Sequence, residues 1–441
     1  MVQTFKAKAN PEKRFFISLI TRDIGLADAI VDLTDNSVNA AMKPLRNSFS
    51  SSSDFLKLVR KRDASPAVTI KIVFDKSRVS VTDNAAGIDF EAAYNEVFRF
   101  GHSEDHHETR DRLSVYGIGM KRALFKIGKK ISMISDHKEG GFSLNLDVDS
   151  WENDESVPWT FPIAKRPPTP KTGTSIVITE LNDEIRGRLS NERFQFELIE
   201  KLSKVYSYFM GRVVDITVNG KPVNRTEFEI GENYAHDKFT VGAVDCSITA
   251  GIASPTGGVF LAEASGWFVF CNFRTVLYAD KTPTTGWGGA LPLFQPKHRP
   301  FLGIVSFTSA SPEELPWTTT KGAINEDNIA WQDAKLRMSA VAKPIIRVLD
   351  TRYTSEGTDL QPQALARLSG PVDNVFNATV SERRAFAAVK KEAPRKVRVQ
   401  YDAKKAEIEK IRNHFGRANM SASEIGRTTF DHFIDNELES R

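Results

Sequence analysis

Carboxylates and amides recur at helical spacing in a short amino-terminal segment of the chain. Asp28, Asp32, Asp35, Asn36 and Asn39 follow one another at intervals of four, three, one and three residues, which places them along one stripe of a helix. Burying several carboxylates against a hydrophobic core is costly unless positive charge compensates them. A divalent cation with a polyphosphate would supply that charge, so the stripe predicts a metal–nucleotide site.

Three later segments contain residue types that such a site needs. In "VSVTDNAAGID", Asp83 ends a predicted strand and can accept a hydrogen bond from an exocyclic amine, while Gly87 and its small neighbours let a flat ring approach the backbone. In "YGIGMKRAL", Gly117 and Gly119 precede a predicted helix, whose first N–H groups can bind phosphate. In "TGTSIVITEL", Thr174 offers a hydroxyl to the hydrogen-bond network around Asp83.

A lysine and a polar loop adjoin the two glycines. Lys121 either adds positive charge at a phosphate site or lies on a helix surface. The segment "GHSEDHHETRD" contains three histidines, for which a metal site is one interpretation. The preferred interpretation is a lid that orders over a bound nucleotide, with Gly101 and Gly117 as its hinges.

The elements that must position these residues form a mixed α+β pattern. Residues 1–190 combine helices, including one region over 15–42 that breaks near Gly25, with a mostly antiparallel sheet. Residues 191–350 restart the pattern with a helix and the hairpin "RVVDITVNGKPVN", which turns at Asn-Gly. Residues 351–441 read as a basic linker followed by charged helices, the second with a serine cap.

Composition is that of an ordinary globular protein. The 441 residues are 40% hydrophobic and 26% charged, and a net charge of +4 does not by itself indicate nucleic acid or an anionic membrane. Cys246 and Cys271 lie in apolar runs and are predicted to be buried thiols of a reducing compartment. Neither a membrane-length apolar run nor an apolar signal core is found, which predicts a cytoplasmic protein with no membrane partner.

Four motifs in fixed order resemble the GHKL superfamily of ATPases, named for gyrase, heat-shock chaperone, histidine kinase and MutL. They are "DLTDNSVNA", "DNAAGI", "YGIGMK" and "GTSI". A fifth segment, "PWTTTKGAIN", is similar to the transducer segment of MutL-like and MORC-like members. The resemblance implies an α/β sandwich that binds ATP, a ribosomal-S5-like transducer domain and a mostly helical C-terminal extension.

The resemblance also implies roles for individual residues. Asn36 looks like the Mg²⁺ ligand, which leaves water and phosphate oxygens to complete the coordination. Asp83 resembles the carboxylate that reads adenine, with Thr174 as its helper through a bridging water. The backbones of Gly117, Ile118, Gly119 and Met120 are expected to bind the phosphates. The other residues expected to contact the nucleotide are Gly87, Gly101, Ser103 and Lys121.

Two further positions correspond to the family's catalytic groups. Asp32 occupies the place of the general base, where hydrolytic members usually have Glu, and Lys321 corresponds to the lysine that reaches the terminal phosphate. General-base help is worth ~10²–10⁴ in rate and needs hydrogen-bond reach. Because Asp is one methylene shorter, the sequence predicts slow hydrolysis, action through a second water, or no hydrolysis.

Asp35 and the basic run each allow two interpretations. Asp35 is either an acid of the phosphate site or a solvated partner of an arginine, and the second is favoured because carboxylates repel phosphates. The basic residues between Arg383 and Arg398 either contact nucleic acid or form the soluble face of a helix and linker.

The function implied is that of a Mg²⁺-dependent ATPase that acts as an ATP-gated clamp or switch. Its expected partners are a second copy of the chain, joined when ATP binds, and an unknown protein bound through residues 351–441. The process in which it acts, such as repair or defence, is not indicated. The alternatives are an ATP-binding adaptor that does not hydrolyse ATP and a chaperone of the heat-shock type.

Overall fold

The computed structural model of the chain describes residues 12–44, 68–101, 113, 117–154, 158–255, 259–351, 372–374, 385–386, 399–400 and 402–438. The chain divides into two compact units, Met1–Val389 and Lys390–Arg441. Helices and strands mix throughout the first unit, and this confirms the α+β class predicted from the sequence.

The first unit begins with two helices that meet at a glycine. Helix α1 spans Lys13–Thr21 and α2 spans Leu26–Met42, with the extended Gly25 as the N-cap of α2. The predicted break near Gly25 is therefore confirmed. The hairpin of β1 (Val68–Phe74) and β2 (Arg78–Asp83) follows, then the short α3 (Phe90–Ala92), a π-helical turn (Ala93–Val97) and α4 (Gly119–Ile127).

The remaining strands of the first sheet, with the helices between them, follow up to residue 222. They are β3 (Gly128–Asp136), β4 (Phe142–Asp147), α5 (Val148–Asn153), β5 (Ile163–Lys165), β6 (Gly173–Leu181), α6 (Asp183–Leu189), α7 (Arg193–Val205), β7 (Val214–Val218) and β8 (Lys221–Pro222). The strand order is β5-β4-β3-β6-β2-β1-β7-β8. Alternate residues of β1 are buried, as expected for a sheet with one face packed against helices. Helices α2 and α4 pack against each other and contact strands of this sheet.

The β7–β8 hairpin forms as predicted but belongs to the first sheet. Its turn residues Asn219 and Gly220 have φ of 46° and 79°, as a tight hairpin turn requires. Strand β7 pairs in parallel with β1, with Ile70 opposite Ile216. The boundary predicted at residue 190 therefore cuts across this sheet, because local turn chemistry does not specify which free edge a hairpin will join. The division into independent domains stays a prediction.

A second sheet follows in the same unit. Its strands are β9 (Glu229–Val241), β10 (Val244–Ala253), β11 (Gly266–Cys271), β12 (Arg274–Asp280), β13 (Phe301–Thr308) and β14 (Val372–Asn374), in the order β12-β11-β13-β10-β9-β14. Helix α8 (Ile329–Thr351) packs on this sheet with Trp331, Met338 and Ile345 buried. Cys246 and Cys271 are buried free thiols, as predicted, and burial raises the pKa of Cys246 to about 12.

The described residues of the second unit form α9 (Lys405–His414), α10 (Ala422–Phe433) and a π-helical turn (Ile434–Leu438). The Ser421 side chain accepts a hydrogen bond from the Glu424 backbone, and the Glu424 carboxylate accepts one from the Ser421 backbone. This capping box confirms the predicted serine cap. The basic residues of the run from Arg383 to Arg398 lie outside the described residues. Over the part of the chain that the structure describes, every helix is too short or too polar to cross a membrane.

Candidate functional site

A cavity of about 260 Å³ surrounds the end of β2, between α2, α4 and the first sheet. We call it the Asp83 cavity, because Asp83 is the buried acid in its wall. Its apolar walls are formed by Leu33, Val81, Ile88, Met120, Met133 and Ile176. A mostly apolar slot with one buried carboxylate suits a flat ring that carries a hydrogen-bond donor.

The Asp83 carboxylate is held by three hydrogen bonds. Its Oδ2 accepts from the Ser37 hydroxyl at 2.6 Å. Its Oδ1 accepts from the backbone N–H groups of Ala85 at 3.0 Å and Thr174 at 3.3 Å. Burial is the largest influence and raises the pKa of Asp83, although these hydrogen bonds oppose the rise. These three hydrogen bonds fix the orientation of the carboxylate and leave it able to accept a further hydrogen bond.

Thr174 contacts Asp83 directly as well, and the predicted bridging water from its hydroxyl stays a prediction. Its backbone N–H reaches the carboxylate directly, while its hydroxyl lies 3.0 Å from the Ser135 hydroxyl. The Ser135 oxygen also accepts from the Ile88 backbone N–H at 2.7 Å. Neither Ser37 nor Ser135 was predicted from the sequence to belong to this site. Ser37 had a weak signal, since it follows Asn36 in the first motif, whereas nothing local marked Ser135.

Gly87 is required by packing at the end of β3, and its role in letting a flat ring approach stays a prediction. It has φ +72°, and a Cβ atom there would lie 2.0 Å from the Asp136 carbonyl oxygen. The turn after β2 thus presses against the end of β3, and only glycine fits. The next residue, Ile88, is the one that lines the Asp83 cavity.

Two glycines near the predicted phosphate site have left-handed backbone conformations. Gly101 and Gly117 have positive φ, and a Cβ on Gly117 would lie 2.9 Å from the Gly101 carbonyl oxygen. Helix α4 starts at Gly119, so its first N–H groups face the region where Asp32 and Ile118 lie. Ser103 and the histidines of the predicted lid lie outside the described residues.

Lys121 is buried and its ammonium binds backbone carbonyls. Its Nζ donates to Val97 O at 3.0 Å and Arg99 O at 2.6 Å, at the end of the π-helical turn. Burial lowers its pKa to about 8. The side chain borders the Asp83 cavity, but its donors point at the main chain, because unsatisfied carbonyls at a helix end attract a cation. The interpretation of Lys121 as a helix-surface residue is therefore wrong, and its role as a phosphate ligand stays a prediction.

A second cavity, of about 220 Å³, adjoins the first. We call it the Lys321 cavity; its polar lining includes Asp32, Asn36, Gly119, Arg122, Thr320 and Lys321. Asn36 lines both cavities. Its amide nitrogen donates to Asp32 O at 3.0 Å, which leaves the amide oxygen available as a ligand. Asp32 is buried and its Oδ2 accepts from Arg122 Nε at 2.6 Å.

Asp35 is the centre of a buried charged cluster. Its Oδ1 accepts from Tyr206 Oη at 2.7 Å and Arg274 Nε at 3.1 Å, and its Oδ2 accepts from Lys321 Nζ at 2.6 Å. The prediction of an arginine partner is correct, but the prediction that the pair is solvated is wrong. Lys321 is buried as well, at 5% exposed. No motif near Tyr206 or Arg274 in the sequence indicated that either residue belongs to this cluster.

The polar stripe of α2 is thus neutralised by the chain itself. Asp28 pairs with Lys201 at 2.5 Å, Asp32 with Arg122, and Asp35 with Arg274 and Lys321. The expectation that metal and phosphate must supply this compensation is therefore wrong. Every one of these cations comes from a different element, which helical periodicity within α2 does not reveal.

Asp35→Asn is expected to destabilise the protein in a pH-dependent way. Burial raises the pKa of Asp35, but Arg274 and Lys321 together lower it by more than burial raises it, so its pKa in the folded protein lies below the ordinary 3.8. The ionised carboxylate therefore contributes its full stabilisation above the ordinary pKa of 3.8. This stabilisation is lost as the pH falls through the lower pKa of the folded protein. Urea unfolding should show a loss of about 3–5 kcal/mol near pH 6 that shrinks towards about pH 3. An equal loss at both pH values would contradict this assignment.

Comparison with known protein families agrees with this geometry. Residues 24–171 match the family described as "Histidine kinase-, DNA gyrase B-, and HSP90-like ATPase". No curated protein matches the chain. The matched segment contains α2, the Asp83 turn and α4, which line much of the Asp83 cavity, while Thr174 and Ile176 of β6 lie just beyond it. Residues 24–171 therefore form an ATP-binding domain of the GHKL superfamily of ATPases.

Proposed function

We propose that the chain binds Mg²⁺–ATP across the two adjoining cavities and uses it as a switch. The observation that carries this proposal is the position of Asn36, which lines both cavities. Adenine in the Asp83 cavity and the terminal phosphate in the Lys321 cavity would place the phosphate chain beside Asn36. The resemblance to MutL-like and MORC-like proteins stays a prediction, as does a transducer role for the second sheet.

The residues present fit a nucleotide. Asp83 accepts from the exocyclic amine, and the apolar walls exclude water from the ring. The N-terminus of α4, beginning at Gly119, offers N–H groups to phosphate. Asn36 would hold Mg²⁺ through its amide oxygen. When bound, the metal neutralises phosphate charge, and Lys321 in the lining of the same cavity adds a second positive charge.

Asp32 favours a second candidate, a nucleotide-binding adaptor with little or no hydrolysis. The pairing of Asp32 Oδ2 with Arg122 Nε occupies one carboxylate oxygen that a general base would use. A base must also lie within hydrogen-bond reach of the attacking water, and aspartate is shorter than glutamate. Phosphate release decides between the two candidates.

Purified protein with Mg²⁺–ATP is expected to release phosphate slowly, and Asn36→Ala is expected to reduce that rate by about 100-fold, because the metal ligand is lost. The measurement is a coupled phosphate assay, with and without a chelator. Asn153→Ala is the matched control, because the exposed Asn153 amide also donates to the carbonyl four residues earlier, Asp149 O at 2.7 Å, and the residue lines neither cavity. Release that does not exceed that of Asn36→Ala would establish the adaptor.

We further propose that nucleotide binding drives homodimerisation. Support comes from the Lys321 loop, which follows β13 of the second sheet and lines a cavity with α2 of the GHKL domain. A ligand in that cavity contacts both parts, so it shifts the equilibrium towards the arrangement it binds better. Residues 351–441 would bind a protein partner or nucleic acid.

A non-hydrolysable ATP analogue is expected to convert monomer to dimer in analytical ultracentrifugation, and ADP is expected to do so much less. The comparison should be repeated with Lys321→Met, which removes the proposed link between phosphate and the second sheet. A mass that stays monomeric with the analogue at high protein concentration would overturn the clamp.

A further inference from the structure

The buried groups around the Lys321 cavity carry one uncompensated positive charge. Asp32 and Arg122 form a neutral pair, whereas Asp35 has two cationic partners, Arg274 and Lys321. Asp23, the other carboxylate of the cavity lining, is exposed at the rim. A buried excess charge is costly unless an anion or solvent approaches it. The cavity beside Lys321 is the place where an anion can do so.

The two cations of Asp35 differ in how they are held. Arg274 donates to Asp35 Oδ1, to Lys321 O at 2.7 Å and to Thr275 O at 3.4 Å. Lys321 Nζ donates to Asp35 Oδ2 from a flexible four-carbon side chain. Among the described residues, Lys321 lines the cavity and Arg274 does not. Arg274 is therefore anchored, whereas the Lys321 ammonium is free to exchange its partner.

The loop that carries Lys321 is fixed independently of its ammonium. Its backbone N–H donates to Thr318 O at 2.9 Å, and its carbonyl accepts from Arg274. Lys321 has φ +53°, which a non-glycine residue adopts only when its surroundings impose it. The ammonium can therefore leave Asp35 while the main chain stays in place, and Asp35 keeps Arg274 and Tyr206 as partners.

We propose that Asp35 is an internal competitor for the terminal phosphate: it holds the Lys321 ammonium until a nucleoside triphosphate takes it, while Arg274 remains on Asp35. This inference rests on the proposed function, because it assumes that the nucleotide occupies the two cavities. Asp35 is then a positioning residue that sets how strongly the protein distinguishes a triphosphate from a diphosphate. The exchange lowers apparent triphosphate affinity, since the ion pair must break first.

The test measures the ratio of ADP to ATP-analogue dissociation constants, by calorimetry with Mg²⁺ and a non-hydrolysable analogue. Asp35→Asn is expected to raise this ratio about tenfold, because Lys321 no longer has to leave a carboxylate. Lys321→Met should lower it below the wild-type value. The double variant should behave as Lys321→Met alone, since the gain acts through that lysine.

Matched variants separate this role from a structural one. Asp28→Asn, on the same helix and also paired with a lysine, should leave the ratio unchanged. If Asp35→Asn fails to fold, the double variant Asp35→Asn with Arg274→Gln keeps the buried charge balance. Its ratio of dissociation constants should exceed that of Arg274→Gln alone. A ratio that is unchanged or lower in Asp35→Asn, or a gain that persists without Lys321, overturns the inference alone. Absence of any nucleotide binding by folded wild-type protein overturns the proposed function with it.

Discussion

Asp83→Asn is expected to weaken adenine-nucleotide binding by about 100-fold, as loss of a hydrogen bond to a buried charged acceptor does. The asparagine oxygen can keep the N–H groups of Ala85 and Thr174, which both bind Oδ1. Its NH₂ group then replaces Oδ2, so a donor faces the exocyclic amine of adenine. Isothermal calorimetry with ADP and Mg²⁺ measures the loss.

The matched control is Asp75→Asn, in the turn between β1 and β2. Asp75 is exposed and accepts from Ser77 in its own turn. This variant should bind nucleotide as the wild type does. Because burial opposes ionisation of Asp83 and raises its pKa, Asp83→Asn should remain folded, and its melting temperature verifies this. Near-normal affinity in the folded variant would remove Asp83 from the site.

Gly87→Ala is expected to lower the free energy of unfolding by more than about 3 kcal/mol, through backbone strain combined with steric crowding. The new Cβ would lie 2.0 Å from the Asp136 carbonyl oxygen and 2.9 Å from its carbon. Both are backbone atoms of the end of β3, so they cannot rotate away as a side chain would. Urea denaturation followed by circular dichroism measures the loss.

Gly220→Ala separates strain from crowding. Gly220 also has positive φ, at +79°, but among the described residues no heavy atom beyond its chain neighbours would lie within 4 Å of a Cβ at this position. Strain alone should cost about 1–2 kcal/mol. The difference between the two variants reports the contact with Asp136, and equal losses would show that the turn after β2 can shift away from β3.

Local patterns in the sequence located the elements of the site. The sequence predicted a strand that ends at Asp83 and a helix that follows Gly117 and Gly119, and in the structure β2 ends at Asp83 and α4 begins at Gly119. These succeeded because hydrophobic period, turn residues and helix starts depend on neighbours a few residues apart. Asp83 and Asn36, which two of the motifs singled out, both line one cavity.

Contacts between distant residues accounted for the failures. Lys121 binds the carbonyls of Val97 and Arg99, and the β7–β8 hairpin joins the edge of β1. Neither result depends on local periodicity. Each is decided by which unsatisfied backbone groups remain when the elements are packed, since buried polar groups must find partners.

The sequence by itself determined that α2 carries acids on a buried surface and that glycines frame the start of α4. Only the tertiary structure decided what neutralises those acids. Arg122, Arg274 and Lys321 lie 90, 239 and 286 positions from their aspartates in the chain. Helical spacing reports the face on which a side chain lies, but the charge that balances it is chosen by which distant element the fold brings within hydrogen-bond distance.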